Sequence, residues 1–107
     1  MRNGLKPETI LLLLLVAGPV MADTSPQREA QLAHLLKHDC GSCHGMTLKG
    51  GLGPSLLPAD LKDKPDELLF VTIQQGRPGT PMPPWKTLLS DDDIHYLITL
   101  LRKGPES

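Results

Sequence analysis

The chain has 107 residues, a formal net charge of −1, 39% apolar residues and two cysteines. The length indicates one domain, and the balanced charge argues against a nucleic-acid-binding protein with a basic surface. Two cysteines are too few for a disulfide-rich scaffold, and the apolar content is too high for a disordered tail. Only three aromatic residues, Phe70, Trp85 and Tyr96, are available to fill a core.

Residues 1–22 have the pattern of a secretory signal peptide. Basic residues precede an unbroken apolar run at 10–16, and small residues stand before a cleavage point after Ala22. The apolar stretch is short for a membrane-spanning helix, which needs about 20 residues. We therefore expect export to the periplasm, no stable membrane insertion, and a mature domain of residues 23–107. The alternative is an uncleaved anchor.

Apolar periodicity predicts an all-α domain with three main helices and long loops. The first helix begins at about residue 26 and runs into the cysteine pair, the second covers about 65–75, and the third covers about 91–103. Residues 58–61 are expected to form a single further helical turn. No strand-like alternation of useful length and no internal repeat is present.

The sequence Cys40-Gly41-Ser42-Cys43-His44 is a CxxCH motif. In an exported chain this is the attachment signature of c-type haem. The two thiols bond one edge of a single haem, and the histidine that follows becomes an axial ligand of the iron. The motif therefore predicts one covalently bound haem per chain.

Three other interpretations of the cysteine pair are weaker. A thioredoxin-like redox pair follows a strand, whereas a helix is predicted here. A zinc site needs two further ligands at suitable spacing, and His34 and His38 lie on the incoming helix instead. A disulfide across two residues would constrain almost nothing, because loop-closure entropy grows with loop size.

Met82 is the strongest candidate for the second iron ligand. It lies 38 residues after His44 in the segment RPGTPMPPW (residues 77–85), whose four prolines exclude a helix interior and predict a stiff, extended loop. A preorganised loop favours a weak thioether ligand, since little ordering entropy remains to be lost. The other methionine and histidine candidates are tied to the proximal side or to the last helix: Met46, His34, His38 and His95.

Histidine and methionine ligation fills both axial positions of the iron, which favours one-electron transfer over catalysis. Three further residues are candidate supports. A backbone carbonyl at Gly53-Pro54 is positioned to accept a hydrogen bond from the His44 ring, although an ordinary turn is the simpler interpretation. Arg77 and Trp85 flank the methionine and are candidate donors to a haem propionate, and Trp85 is alternatively a packing residue.

These segments resemble class I cytochromes c over about residues 28–103. CGSCH, GGLGPSL and GRPGTPMPPW carry the resemblance. It implies an all-helical fold in which terminal helices cross, three main helices and long loops surround one haem, Cys40 and Cys43 hold the haem, and His44 and Met82 bind the iron. It also implies that the Pro54 carbonyl orients His44.

CHGMTLKGGLGP followed by GRPGTPMPPW is similar in particular to the small cytochromes of the c-55X type, which are associated with haem-d-containing nitrite reductase in denitrifying bacteria. This resemblance implies a monomeric, non-enzymatic periplasmic carrier that takes electrons from an upstream donor and passes them to nitrite reductase. The alternative that it implies is a redox partner or assembly factor in maturation of the d-type haem. An open-haem enzyme or sensor is a third hypothesis, and it requires Met82 to be absent from the iron.

Overall fold

The computed structural model describes residues 24–105, and every regular element in this range is helical. The expected signal peptide, residues 1–22, lies outside the described residues. We label the elements α1 (Pro26–Leu35), a π-helical segment (Leu36–Cys40), α2 (Gly41–His44), α3 (Pro58–Leu61), α4 (Asp66–Gln75) and α5 (Asp91–Lys103). Within residues 24–105 no helix has the length and apolar character needed to cross a bilayer.

Two of the three main helices, α1 and α5, begin with serine caps. The Ser25 hydroxyl accepts a hydrogen bond from the Arg28 backbone N–H at 3.1 Å at the start of α1. At the start of α5, Ser90 and Asp93 form a reciprocal capping box, with each side chain accepting from the other residue's backbone N–H at 3.1 and 3.0 Å. Caps of this kind satisfy N–H groups that have no partner inside the helix.

The first helix changes character before the cysteine pair. The Gly41 N–H donates to the carbonyl of Leu36, five residues back, so that residues 36–40 form a wider π turn. The apolar periodicity predicts one continuous helix here and gives no sign of this turn. Single π turns are often found at functional sites, and this one ends at Cys40.

The core is aliphatic and is built mainly where α1 and α5 meet. Leu32 of α1 and Ile94 and Leu97 of α5 are almost completely excluded from solvent. Burial of side chains of this size contributes about 1.5–3 kcal/mol each. The remaining buried apolar residues are Leu48, Leu61, Leu69, Leu89, Ile98 and Leu101.

An ion pair fixes the contact between the first and last helices. The Arg28 guanidinium donates through Nε and Nη2 to the two carboxylate oxygens of Asp93, at 3.1 and 2.7 Å. Asp93 is 6% exposed, and the hydrogen bonds from Arg28 lower the pKa of its carboxyl. One carboxylate thus caps α5 and joins it to α1.

Arg102 near the end of α5 fixes the segment between α3 and α4. Its Nη1 donates to the Leu61 carbonyl at 2.7 Å, its Nη2 donates to the Lys64 carbonyl, and Nε and Nη2 donate to Asp66 at 3.1 and 2.8 Å. A planar guanidinium satisfies several acceptors at once. This residue therefore positions the start of α4, which borders the site described below.

Asp93→Asn removes the charge of the ion pair and one of the two acceptor oxygens that serve Arg28 and the Ser90 N–H. Because hydrogen bonds to charged groups contribute about 1.5–3 kcal/mol, we expect the free energy of unfolding at neutral pH to fall by about 2 kcal/mol. The folded pKa of Asp93 is lowered, so its stabilisation is complete above the unfolded pKa of about 3.9 and is lost as the pH falls through the folded pKa. Chemical denaturation at a series of pH values measures both effects.

Asp92→Asn is the matched control, since Asp92 is an exposed acid in the same turn. An equal loss of stability in both variants would contradict the assignment. So would a difference between wild type and Asp93→Asn that persists at pH values below the folded pKa.

Candidate haem site

A cavity of about 970 Å³ lies among the helices and the loops that join them. This volume is at the upper end of the range of small-molecule and cofactor sites. Its walls are mainly aliphatic, with leucines from α1, the π segment, α3, α4 and α5. All seven site residues expected from the sequence line it: Cys40, Cys43, His44, Pro54, Arg77, Met82 and Trp85.

The π segment and α2 bring the two cysteines and the histidine to one wall of the cavity. Cys40 ends the π segment, and Cys43 and His44 end α2. Neither cysteine forms a disulfide and both are partly buried, and burial, with a smaller contribution from the charge of Asp39, raises the pKa of the unattached Cys40 thiol to about 11. Gly41 between them is buried, and a Cβ there would lie 3.3 Å from the Met46 backbone, so glycine lets the following loop pack against this turn.

The His44 ring is held from behind by the loop that follows it. Its Nδ1 lies 2.7 Å from the Pro54 carbonyl oxygen. Because a carbonyl only accepts, Nδ1 carries the proton in this contact and Nε2 carries the lone pair. A metal-binding histidine is commonly oriented by such a bond from its other ring nitrogen. The arrangement therefore leaves the lone pair of Nε2 as the one that could bind a metal ion.

Gly53 packs directly on the face of the same imidazole. A Cβ at this position would lie 2.7 Å from Cε1 and 2.8 Å from Nδ1 of His44, which is closer than real Cβ contacts allow. The Gly53 N–H donates to the Cys43 carbonyl at 2.7 Å, and the Gly50 N–H donates to the His44 carbonyl at 2.7 Å. The loop backbone thus packs against residues 40–44, and no space remains for a side chain between the two segments.

Leu48 anchors this loop in the core. It is 3% exposed and has φ of +63°, a backbone conformation that non-glycine residues adopt uncommonly. Its carbonyl accepts the Leu56 N–H at 2.8 Å. Burial of the leucine side chain compensates for the unfavourable backbone angle, and the loop returns to the cavity at residues 53–56.

The second loop of the site, residues 77–85, begins where α4 ends at Gly76. This glycine has φ of +70°, and a Cβ there would lie 2.6 Å from Pro83 and Pro84 backbone atoms. The Arg77 N–H donates to the Met82 carbonyl at 3.1 Å. The loop carrying Met82 is therefore folded closely against the end of α4.

Thr80 and Trp85 complete the hydrogen bonding of this loop. The Thr80 hydroxyl donates to the Arg77 carbonyl at 2.6 Å and accepts from the Met82 N–H at 3.3 Å. The Trp85 N–H donates to the Ile73 carbonyl of α4 at 3.1 Å. The sequence interpretation did not single out Thr80 or Gly76 as site residues. Two features of the sequence could have identified them. Thr80 has a hydroxyl two residues before Met82, and Gly76 stands at the end of a predicted helix.

The other methionine and histidine candidates lie outside the cavity lining. Met46 is half exposed and contacts Gly41. His34 and His38 lie on the outer surface of the first helix, and His95 of α5 stacks on Phe70 with ring centroids 4.7 Å apart. The structure thus brings His44 and Met82 to one cavity and leaves the remaining candidates away from it.

The chemistry of the cavity suits a haem. It combines an aliphatic lining, two thiols and an imidazole on one short segment, and a thioether on a separate loop. Within residues 24–105 no group of three or more histidine, cysteine or acidic side chains is arranged to hold a metal ion by itself. A zinc centre of the structural type, which takes four such ligands, therefore does not account for these residues in the described part of the chain.

Comparison with known proteins also indicates a haem-binding protein of the cytochrome c type. The family model described as cytochrome c oxidase, cbb3-type, subunit III matches residues 27–101. Cytochrome c55X of Pseudomonas aeruginosa is 56% identical over 88 residues, covering 80% of this chain and 74% of the relative. The solved structure of the c-type cytochrome NirC aligns with a TM-score of 0.74 at 53% identity, covering 77% of this chain and all of that one.

A larger protein contains a similar region. Dihydro-heme d1 dehydrogenase of Pseudomonas aeruginosa is 31% identical over 94 residues, which are 88% of this chain but 19% of the relative.

Fold, cavity and relatives together define a c-type cytochrome of class I with a covalently attached haem c. Within that class, the chain belongs to the cytochrome c55X family. The predictions of fold class, family and cofactor are thereby confirmed.

Gly53→Ala places a methyl group against the His44 ring. We expect a loss of about 1–3 kcal/mol in the free energy of unfolding, the usual cost of overpacking. The ring must also move, so we expect a changed visible absorption spectrum of the haem. Chemical denaturation and absorption spectroscopy of the purified holoprotein measure the two effects.

Gly79→Ala is the control, because its φ is +81° but a Cβ there meets no atom within 4 Å. It introduces backbone strain alone and is expected to leave the haem spectrum unchanged. A Gly53→Ala protein with the wild-type spectrum and stability would contradict the packing described for His44.

Proposed function

We propose that Cys40 and Cys43 tether the haem and that His44 and Met82 bind its iron. The contact of His44 Nδ1 with the Pro54 carbonyl supports this proposal, since it leaves Nε2 to bind a metal. The hydrogen-bonded loop around Met82 supports the second ligand, because it limits the freedom of a weak thioether donor. Arg77 and Trp85 line the same cavity and are candidate hydrogen-bond donors to a propionate.

The function that this site supports best is transfer of single electrons. The haem iron supplies a reversible one-electron change, and methionine as a ligand raises its reduction potential. The protein's own contribution is to supply two iron ligands, His44 and Met82, which together would leave no position for a substrate. The observation that carries the proposal is the convergence of one imidazole and one thioether on a single cavity. We therefore propose an electron carrier and not an enzyme.

The proposed location is the periplasm, reached through a cleaved signal peptide at residues 1–22. The basic, apolar and small-residue regions of that segment support export. We propose that the mature domain acts as a monomer, which receives electrons from an upstream donor and releases them to a protein acceptor.

The proposed acceptor is the haem-d-containing nitrite reductase of denitrification. Membership of the cytochrome c55X family supports this partner, together with the likeness to NirC. A second candidate is supported by the similar region in dihydro-heme d1 dehydrogenase. Removal of two hydrogens from a dihydro-haem releases two electrons and two protons, and two molecules of a one-electron carrier would accept the electrons. In that role the protein would assist maturation of the d-type haem.

Rapid mixing of the reduced protein with nitrite reductase and nitrite tests the first partner. We expect oxidation of the haem with a rate constant of about 10⁵–10⁷ M⁻¹s⁻¹, the usual range for specific protein encounters. Without nitrite, oxidation should stop once the enzyme's haems are reduced. Absorbance of the ferrous haem follows both reactions.

A parallel experiment tests the second partner. The ferric protein is mixed with dihydro-heme d1 dehydrogenase and its dihydro-haem substrate, and formation of ferrous haem is measured. Reduction here without oxidation by nitrite reductase would replace the first proposal by the second. Failure of both reactions, while another small cytochrome c reacts, would contradict both partners.

A further inference from the structure

Two histidines form a pair on the outer surface of the first helix. His34 lies in the last turn of α1 and His38 lies in the π segment, four residues later. Their ring centroids are 4.1 Å apart and the ring planes are inclined by 35°. Both side chains are exposed and neither lines the haem cavity. The proposed electron-transfer function makes no use of them.

The ring nitrogens of this pair are available for a ligand. Within residues 24–105, neither imidazole has a hydrogen-bonding partner in the protein. Side chains four residues apart on a helix face the same side, and histidines at this spacing are a known arrangement for binding one zinc ion. Neutral imidazole suits zinc, copper and nickel, and copper(II) binds most tightly of the three.

We propose that His34 and His38 together bind one divalent transition-metal ion, with Cu²⁺ preferred over Zn²⁺ and Ni²⁺. The pair is a surface site distinct from the haem iron, and it uses neither cysteine. Because the described residues hold no group of three or more such side chains arranged around one point, water completes the coordination. The bound ion is therefore exchangeable, in contrast with the four-ligand structural sites of zinc proteins.

One neighbouring charge opposes binding. Lys37 is exposed and lies three residues after His34, so its ammonium group is on an adjacent part of the helix surface. Like charges at this helical spacing weaken an interaction by a few tenths of a kcal/mol. Removal of this charge is expected to increase the affinity for the ion about twofold.

The bound ion would join two different parts of the first helix. His34 belongs to α1, and His38 stands two residues before Cys40 in the π segment. A metal bridge between them spans the junction where the helix widens. The site therefore ties the turn that presents the haem-bearing cysteine to the regular helix before it.

Titration of the purified holoprotein with CuCl₂ in a non-coordinating buffer tests the proposal. We expect one Cu²⁺ per chain by calorimetry, and an electron paramagnetic resonance spectrum with two nitrogen ligands. Since loss of even an outer partner of a metal site usually costs about 10–100-fold in affinity, His34→Ala and His38→Ala should each weaken binding at least about tenfold. Lys37→Ala should strengthen it about twofold.

His95→Ala is the matched control, because His95 is an exposed histidine on α5, packed on Phe70. It should leave the copper affinity unchanged. The haem absorption spectrum of each variant verifies that the fold is retained. Equal affinity in wild type and the His34→Ala/His38→Ala double variant would overturn the proposal, since the ion would then bind elsewhere. A signal with one nitrogen ligand in the wild type would overturn it as well.

Discussion

The fold is arranged around one constraint, the cavity in which a covalently attached haem would complete the core. The polypeptide has three aromatic residues and a set of buried leucines and isoleucines, and much of this apolar surface faces a cavity of about 970 Å³. A domain of this size has little core of its own, and such domains usually depend on a cofactor or another staple. The shortage of aromatic residues and the presence of CxxCH therefore have the same physical explanation.

Two loops define the site through backbone contacts. On one side, Gly53 and the Pro54 carbonyl enclose the His44 ring. On the other, the turn at Gly76 brings the Met82 loop against α4, and Thr80 bonds the backbone on both sides of the turn. In both loops glycine is required because another backbone or a ring occupies the place of its side chain. Preorganisation of this kind lowers the ordering cost of binding.

The helices and the attachment motif could be predicted because their signals are local. Caps, prolines and apolar periodicity place each main helix within a few residues of its position in the structure. The contact between His44 and the loop at Pro54 was also predicted, from a spacing of ten residues. Features that depend on contacts between residues distant in the sequence could not be predicted. Neither the ion pair of Arg28 with Asp93 nor the positive φ of Leu48 has a local sequence signal.

The π segment is a second feature that the sequence alone does not predict. Its residues have ordinary helical periodicity, and only the hydrogen bond of Gly41 to Leu36 reveals the wider turn. Likewise, the sequence marks Gly53 as a loop residue, whereas the need for glycine comes from an imidazole that lies nine residues earlier in the chain. Tertiary packing thus decides the details that place the proposed iron ligands.

The visible absorption spectrum of Met82→Ala is the most direct test of the central claim, which is that His44 and Met82 both bind the haem iron. We predict loss of the sulfur-to-iron charge-transfer band of the ferric protein and rapid binding of carbon monoxide by the ferrous variant, since an axial position opens. Met46→Ala alters a half-exposed methionine outside the cavity lining. This variant and the wild type are both expected to show the band and to exclude carbon monoxide. A Met82→Ala spectrum identical to that of the wild type would contradict the account.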